Sequence, residues 1–301
     1  MADASSEHEN SDPQESPRIA TLGIHPIKSL RGLEPEKWWF GPSGPDLDRR
    51  WMLVDAGRRF LSLREFPGLA RFHPEIVDEV PIGAEEETPL PRLHIHHRGE
   101  TLEIQPRVGD SGEEAVLWGS NRAVTDEGDV AAAWFSHRLG QPVRLVRHRP
   151  DLDLWRQPEP EADGATTGLA DGYPVLVVSR TTIQAAVGPT HSARRFRPNL
   201  LIDDVAAGAE DGWLRIRVGE VEMDLVKPCV RCVATTVDPE NGRRTGTEPL
   251  SILARTRRWN GRPVLGWNTL VRRPGWIRVG DPIEVLQDRS RVEIETAPLN
   301  S

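Results

Sequence analysis

Two cysteines three residues apart, in Lys227-Pro228-Cys229-Val230-Arg231-Cys232, are the side chains of this sequence best equipped for chemistry. A Cys-x-x-Cys pair can be a redox disulfide, half of a zinc site, the source of a single soft thiolate, or simply two buried structural thiols. A thioredoxin-like site requires the pair to open a helix. The residues that follow, Val233-Ala234-Thr235-Thr236-Val237, are mostly β-branched and predict a strand over 233–237 instead. A zinc site requires two more ligands, and there is no second cysteine pair. Lys227 and Arg231 beside the cysteines favour a thiolate over a thiol. His94, His96 and His97 are further metal-ligand types. His94 and His96 fall on one face of a strand, an i,i+2 pair open to a transition metal, although a partly exposed edge strand is the simpler account.

Basic residues gather in three places. Arg194-Arg195-Phe196-Arg197-Pro198-Asn199 puts three arginines in four positions, suited either to surface ion pairs or to a phosphate or carboxylate clamp. His25-Pro26-Ile27-Lys28-Ser29 closes the first apolar run, where a Lys-Ser pair can cradle a phosphate or simply be solvated. Arg49 follows Asp48 and could pair with it. These clusters sit in an acidic chain. The 46 acids against 38 bases give a net charge of −8, which argues against nucleic acid as a stable partner. Two cysteines exclude a disulfide scaffold, and no apolar run approaches the length of a membrane helix. Neither a secretory signal nor a membrane anchor is visible, so the expected address is cytoplasmic.

The elements that must position these residues are mostly short strands. Residues 1–17 carry five acids and no Lys or Arg, which predicts a disordered tail. An extended run opens at 18–28. Strands are predicted at 51–54, 60–63, 93–95, 102–104, 143–146, 175–178, 200–202, 214–218, 221–225 and 283–286, bounded by Gly, Pro, Asp or Asn. Helices are predicted over 130–139, stopped by Gly140, and after Ser179 as N-cap. The Pro- and Glu-rich 81–91 reads as a loop. The organisation expected is a tail (1–17), a β-barrel module (18–150), a linker (151–170), a second β module (171–290) and a C-terminal tail (291–301).

Taken in order, these pieces resemble the two-part MOSC proteins, such as the amidoxime-reducing components and their bacterial relatives. The resemblance rests on Ile24-His25-Pro26-Ile27-Lys28-Ser29, Asp48-Arg49-Arg50-Trp51, Leu63-Arg64-Glu65-Phe66-Pro67 and Asp171-Gly172-Tyr173-Pro174. It continues through Arg195-Phe196-Arg197-Pro198-Asn199 and, most specifically, Lys227-Pro228-Cys229-Val230-Arg231-Cys232. It implies a mainly β (α+β) fold of two closely associated β-barrel-like modules with a few short helices. It also implies a bound molybdenum cofactor (molybdopterin), with Cys232 as the metal ligand. Lys28, Ser29, Arg49, Gly172, Tyr173, Arg197, Asn199 and Arg231 would bind the cofactor, and pyridoxal phosphate binding is a family-level association only. The activity implied is reduction of N-hydroxylated compounds to amines by oxygen-atom transfer. The alternative is a carrier of the cofactor or of sulfur without turnover. Where mitochondrial members place a Tyr near the metal, this chain has Asn268. No cysteine follows Cys232, so no iron–sulfur module is expected, and electrons would come from a separate donor protein of the reductase, ferredoxin or cytochrome type.

Overall fold

The structure is a computed structural model that describes residues 16–78, 90–107, 112–153, 155–244, 246–290 and 292–299. The expectations for most of the acidic N-terminal segment and of the 81–91 loop lie outside the described residues.

The protein is mainly β, as the short, punctuated apolar runs predict. The principal sheet orders its strands Arg18–Leu22, Leu200–Asp203, Val175–Ser179, Arg262–Arg273, Val221–Val230, Trp213–Val218 and Ile283–Asp288. All neighbours are antiparallel except Val175–Ser179 and Leu200–Asp203, which are parallel and joined through the helix Arg180–Val187. The two ends of this sheet meet. Ile19 N–H donates to the Asp281 carbonyl, Gly280 N–H to the Ile19 carbonyl, and Ile283 N–H to the Pro17 carbonyl, at 2.7–3.0 Å. The first strand is therefore bonded on both sides, and the sheet closes as a barrel.

A four-stranded antiparallel sheet of Trp51–Asp55, Val143–His148, Ser120–Asp126 and Glu113–Leu117 packs alongside. Two smaller sheets complete the fold. In one, Lys37–Gly41 pairs with Gly275–Arg278, another long-range junction of early and late chain. In the other, Leu93–His97 lies between His73–Ile76 and Glu100–Ile104. Leu93–His97 is thus a central strand with one open face, where the sequence suggested an edge strand. The largest apolar cluster runs across the junction, taking Leu22, Ile27 and Trp51 together with Val175, Leu200 and Trp267. The indoles of Trp51 and Trp267 are fully buried and donate to Glu127 (2.7 Å) and Asp211 (2.8 Å), so each large apolar body keeps its polar handle satisfied.

Both predicted helices form. Asp129–Leu139 buries Ala131, Ala132 and Phe135 and stops at Gly140 in the left-handed region, and the Ser179 hydroxyl accepts from Thr182 N–H as N-cap of Arg180–Val187. A third helix, Leu250–Thr256, has no cap signature and was not legible. Two predicted strands do not form. Residues 60–63 make ladder-like bonds only at Phe60 and Leu61. Val233–Thr236 is a 3-10 turn, because the Thr235 and Thr236 hydroxyls donate to the carbonyls of Cys232 (2.9 Å) and Val233 (2.7 Å). Such local side-chain bonds outweigh β-propensity once the chain leaves the sheet.

The longest strand, Arg262–Arg273, was hidden in the sequence by Pro263 and Gly266. Gly266 has φ of +75°, and a Cβ there would stand 2.7 Å from the Val177 carbonyl oxygen. Gly266→Ala should therefore destabilise the fold by about 1–3 kcal/mol, read as a lowered urea midpoint with an unchanged m-value. An unaltered midpoint would show that the backbone around Gly266 relaxes without cost.

Candidate functional site

A cleft of about 200 Å³ opens where the closed sheet meets the four-stranded sheet. Its walls bring together every residue that the sequence singled out for the site: Lys28, Ser29, Arg49, Gly172, Tyr173, Arg197, Asn199, Arg231, Cys232 and Asn268. They come from separated segments. Lys28 and Ser29 sit on the turn beyond the first strand, and Arg49 lies just before Trp51–Asp55. Arg197 caps the short turn Ala193–Phe196, and Cys229 lies one residue before the end of Val221–Val230 while Cys232 lies just past it. Ser29, Arg49 and Arg197 all have positive φ, at 71°, 48° and 53°. Non-glycine residues seldom hold this conformation, and it persists only where the surroundings enforce it.

The cleft is strongly basic in an acidic protein. Lys28, Arg49, Arg64, Arg195, Arg197 and Arg231 line it, against one carboxylate, Asp171. Lys28 is buried, donates to the Leu169 carbonyl at 2.8 Å and is ion-paired with Asp171. Burial pulls the Lys28 ammonium below its ordinary pKa, and Asp171 opposes that shift. Asp171 sits at the rim with its side chain 61% exposed, and the protein packed behind it would by itself raise its carboxyl. Lys28, the Trp118 indole N–H (3.1 Å) and Arg64 overcome that and hold it far below the usual carboxylate range. Arg49 pairs with buried Asp48. Among the described residues Arg197 has no carboxylate in hydrogen-bond contact: Nη1 donates to the Leu30 carbonyl at 2.6 Å, and Nη2 is buried without an acceptor. Burial, with Arg49 close by, pushes Arg197 down to about 9. Arg231 is similar, with Nη2 on the Phe196 carbonyl (2.7 Å) and Nε buried without an acceptor.

The sulfurs are separately served. Both cysteines are free thiols. Arg231 Nη1 lies 3.0 Å from Cys229 Sγ, whereas Cys232 Sγ receives Arg64 Nε at 3.4 Å and Nη2 at 3.3 Å. This revises the expectation that Lys227 and Arg231 serve the reactive sulfur. Lys227 pairs with Glu159 at 2.7 Å, and the cation against Cys232 is Arg64. Arg64 stacks 4.2 Å over the Trp118 ring and lies 4.0 Å from Asp171, so one guanidinium links sulfur, indole and carboxylate.

Other site residues are engaged with the scaffold. Asn199 accepts from Leu176 N–H (3.0 Å) and donates to the Gly23 carbonyl (2.9 Å), tying two strands together beneath the cleft. Tyr173 donates to Glu159 (2.7 Å), and the Gly172 carbonyl accepts from Gln157 (2.7 Å). Asn268 stands in register with Leu176 and Lys227 on the long strand. Sequence reasoning did not single out Arg64, Asp171 or Trp118 as site residues. Arg64 and Asp171 lie inside the Leu63-Arg64-Glu65-Phe66-Pro67 and Asp171-Gly172-Tyr173-Pro174 motifs, which carried the signal. Trp118, on a tight turn with φ of +52°, has none.

The depressed Asp171 carboxyl sets a pH dependence. Its ionic contribution to stability is present above the unfolded carboxylate pKa, near 3.9, and is lost as pH falls toward the much lower folded value. Asp171→Asn should be less stable than the parent at pH 7, with the gap narrowing below about pH 4. Urea unfolding of both proteins between pH 3 and 7 checks this. A gap independent of pH would mean that Asp171 acts through packing alone.

Comparison with known proteins places this geometry among relatives. The MOSC N-terminal beta barrel domain model matches residues 16–142, and the MOSC domain model matches 165–284. Mitochondrial amidoxime-reducing component 1 of Danio rerio is 35% identical over 285 residues, covering 88% of this chain and 83% of that one. The Mus musculus protein of the same name is 29% identical over 299 residues, covering 89% and 82%. A molybdenum cofactor sulfurase of Danio rerio is 27% identical over 263 residues, or 79% of this chain but only 30% of the longer protein.

Proposed function

Because the chain belongs to the MOSC family, with both the N-terminal barrel and the MOSC domain, we propose that it binds the molybdenum cofactor in the basic cleft and reduces N-hydroxylated compounds such as amidoximes and hydroxylamines to amines. The observation that carries this reading is the meeting, in one cleft, of the Cys232 sulfur with a surplus of buried cations. A pterin phosphate suits that surplus, since the orphaned nitrogens of Arg197 and Arg231 are donors awaiting an anion. A soft metal suits the sulfur. The residues therefore fit the group on both of its chemical ends.

When bound, the cofactor supplies two-electron oxygen-atom transfer, so that an N-hydroxylated substrate, two electrons and two protons yield the amine and water. The chain's own residues bind and orient. Lys28, Arg49, Arg197 and Arg231 would hold the phosphate, each charge-assisted bond contributing about 1.5–3 kcal/mol. Cys232 would be the protein ligand. Arg64, fixed against Trp118, keeps that sulfur directed into the cleft. Asp171 is ionised at neutral pH, and with its carboxyl held so low it would serve as counter-ion to Lys28 and Arg64 rather than as a proton carrier. Cys229, engaged by Arg231, would not be a ligand. The electrons would come from a separate donor protein. Among the described residues no helix is long and apolar enough to cross a membrane.

A second reading, in which the chain carries the cofactor or its sulfur without turnover, is favoured by the likeness to a molybdenum cofactor sulfurase. Protein from a cofactor-producing host separates the two. Wild type should contain molybdenum and pterin and turn over benzamidoxime with an artificial donor. Loaded protein without turnover of any N-hydroxylated compound would favour the carrier.

Cys232→Ser should keep its thermal unfolding temperature, lose molybdenum and fall to background turnover, whereas Cys229→Ser should keep most of its metal. Equal metal loss in both variants would remove the single-ligand assignment. Arg197→Gln should weaken pterin retention roughly 10–100-fold, following the strength of one charge-assisted bond. Fluorescence of released pterin measures it, and unchanged retention would place the phosphate elsewhere.

A further inference from the structure

The three-stranded sheet away from the cysteine cleft carries a second group of metal-ligand side chains. In Leu93–His97, Leu93, Ile95 and His97 are buried, and His97 stacks 4.1 Å against Phe72. Strand alternation therefore turns His94 and His96 to the open face together. The neighbouring strand places Glu75 directly opposite His94, and the other places Thr101 opposite His96. Glu75 Oε2 lies 2.9 Å from His96 Nε2 and 3.8 Å from His94 Nδ1. Donor atoms of all three residues lie within 4.8 Å of one another. Tetrahedral ligands at Zn–N and Zn–O distances of about 2.0–2.1 Å stand about 3.3 Å apart, so small side-chain rotations close the set. His96 Nδ1 is held by the Thr101 hydroxyl at 2.9 Å. That bond turns Nε2 towards Glu75, and orienting a ligand through its other ring nitrogen is how outer partners tune metal sites.

We propose that Glu75, His94 and His96 form a binding site for a borderline divalent transition cation, represented by Zn²⁺. Two imidazole nitrogens and one carboxylate select Zn²⁺ over Mg²⁺ or Ca²⁺, which prefer all-oxygen shells. Three protein ligands leave a fourth position for water or an exogenous ligand. The ligands come from two paired strands, so the ion clips His73–Ile76 to Leu93–His97. None of the three residues lines the cysteine cleft, and the site stands independently of the function proposed for it.

The test is calorimetric titration of the full chain with Zn²⁺, alongside Co²⁺ absorption. Wild type should take up one ion at this site, with Co²⁺ bands of nitrogen and oxygen ligation and no sulfur charge-transfer band, and excess Mg²⁺ should not compete. Zn²⁺ should raise the thermal unfolding temperature. His96→Ala, His94→Ala and Glu75→Gln should each weaken binding at least tenfold, and Thr101→Val, which keeps all three ligands, about tenfold. These positions are on an open sheet face, and unfolding without metal confirms that each variant folds. Zinc affinity unchanged in the His94→Ala/His96→Ala double variant would overturn the proposal. So would a Co²⁺ spectrum showing only thiolate ligation, or no Zn²⁺ uptake by wild type.

Discussion

Six cations share the walls of one cleft with a single carboxylate, and much of the surrounding architecture serves to keep them there. Each must be brought out of water, a large cost unless its hydrogen bonds are met. The protein meets three of them with backbone carbonyls, Leu169 for Lys28, Leu30 for Arg197 and Phe196 for Arg231, and sets carboxylates against Lys28, Arg49 and Arg195. Carbonyls satisfy donors without cancelling charge. Arg197 and Arg231, held this way, leave the cleft a positive surplus, whereas Asp171, Asp48 and Asp238 offset Lys28, Arg49 and Arg195. The positive backbone angles at Ser29, Arg49 and Arg197 belong to the same arrangement, since they turn the chain where side chains must converge from different strands.

That convergence depends on early and late segments being built into each other. The first strand belongs to the sheet that carries the cysteines, and Lys37–Gly41 pairs with Gly275–Arg278. Lys28 meets Asp171, and Arg64 meets Cys232, across more than a hundred residues of chain. Short loops from several strands can shape such a pocket while the buried sheet holds their roots fixed.

Much of this was legible in the sequence. Alternation and turn residues gave the mainly β class, and Ser179 and Gly140 marked the ends of two helices through capping physics that is local. The basic motifs pointed to the cleft because arginines concentrated in an acidic chain need an anionic partner. What was not legible is non-local. Nothing around Arg64 says that its guanidinium reaches a sulfur 168 residues away. The strand Arg262–Arg273 was masked because Gly266 is needed by a neighbouring carbonyl, not by its own segment. At 233–237, β-branched residues misled because two of them are threonines whose hydroxyls fold the chain back on itself. Glu75 joined the His94–His96 pair only through the register of another strand.

The closure of the principal sheet by Arg18–Leu22 also bears on how the chain is made. Its partners at Leu200–Asp203 and Asp281–Ile283 leave the ribosome long after it does. At roughly 5–20 residues per second, the first strand waits on the order of 15–50 s for its last neighbour. Until Leu200–Asp203 emerges it has unpaired N–H and C=O groups along both edges, the kind of surface that chaperones and stray strands bind. The last hydrogen bonds to form are then the ones that join the N-terminus to residues 280–283. Until residues 280–283 emerge, the principal sheet stays open along that side of its first strand.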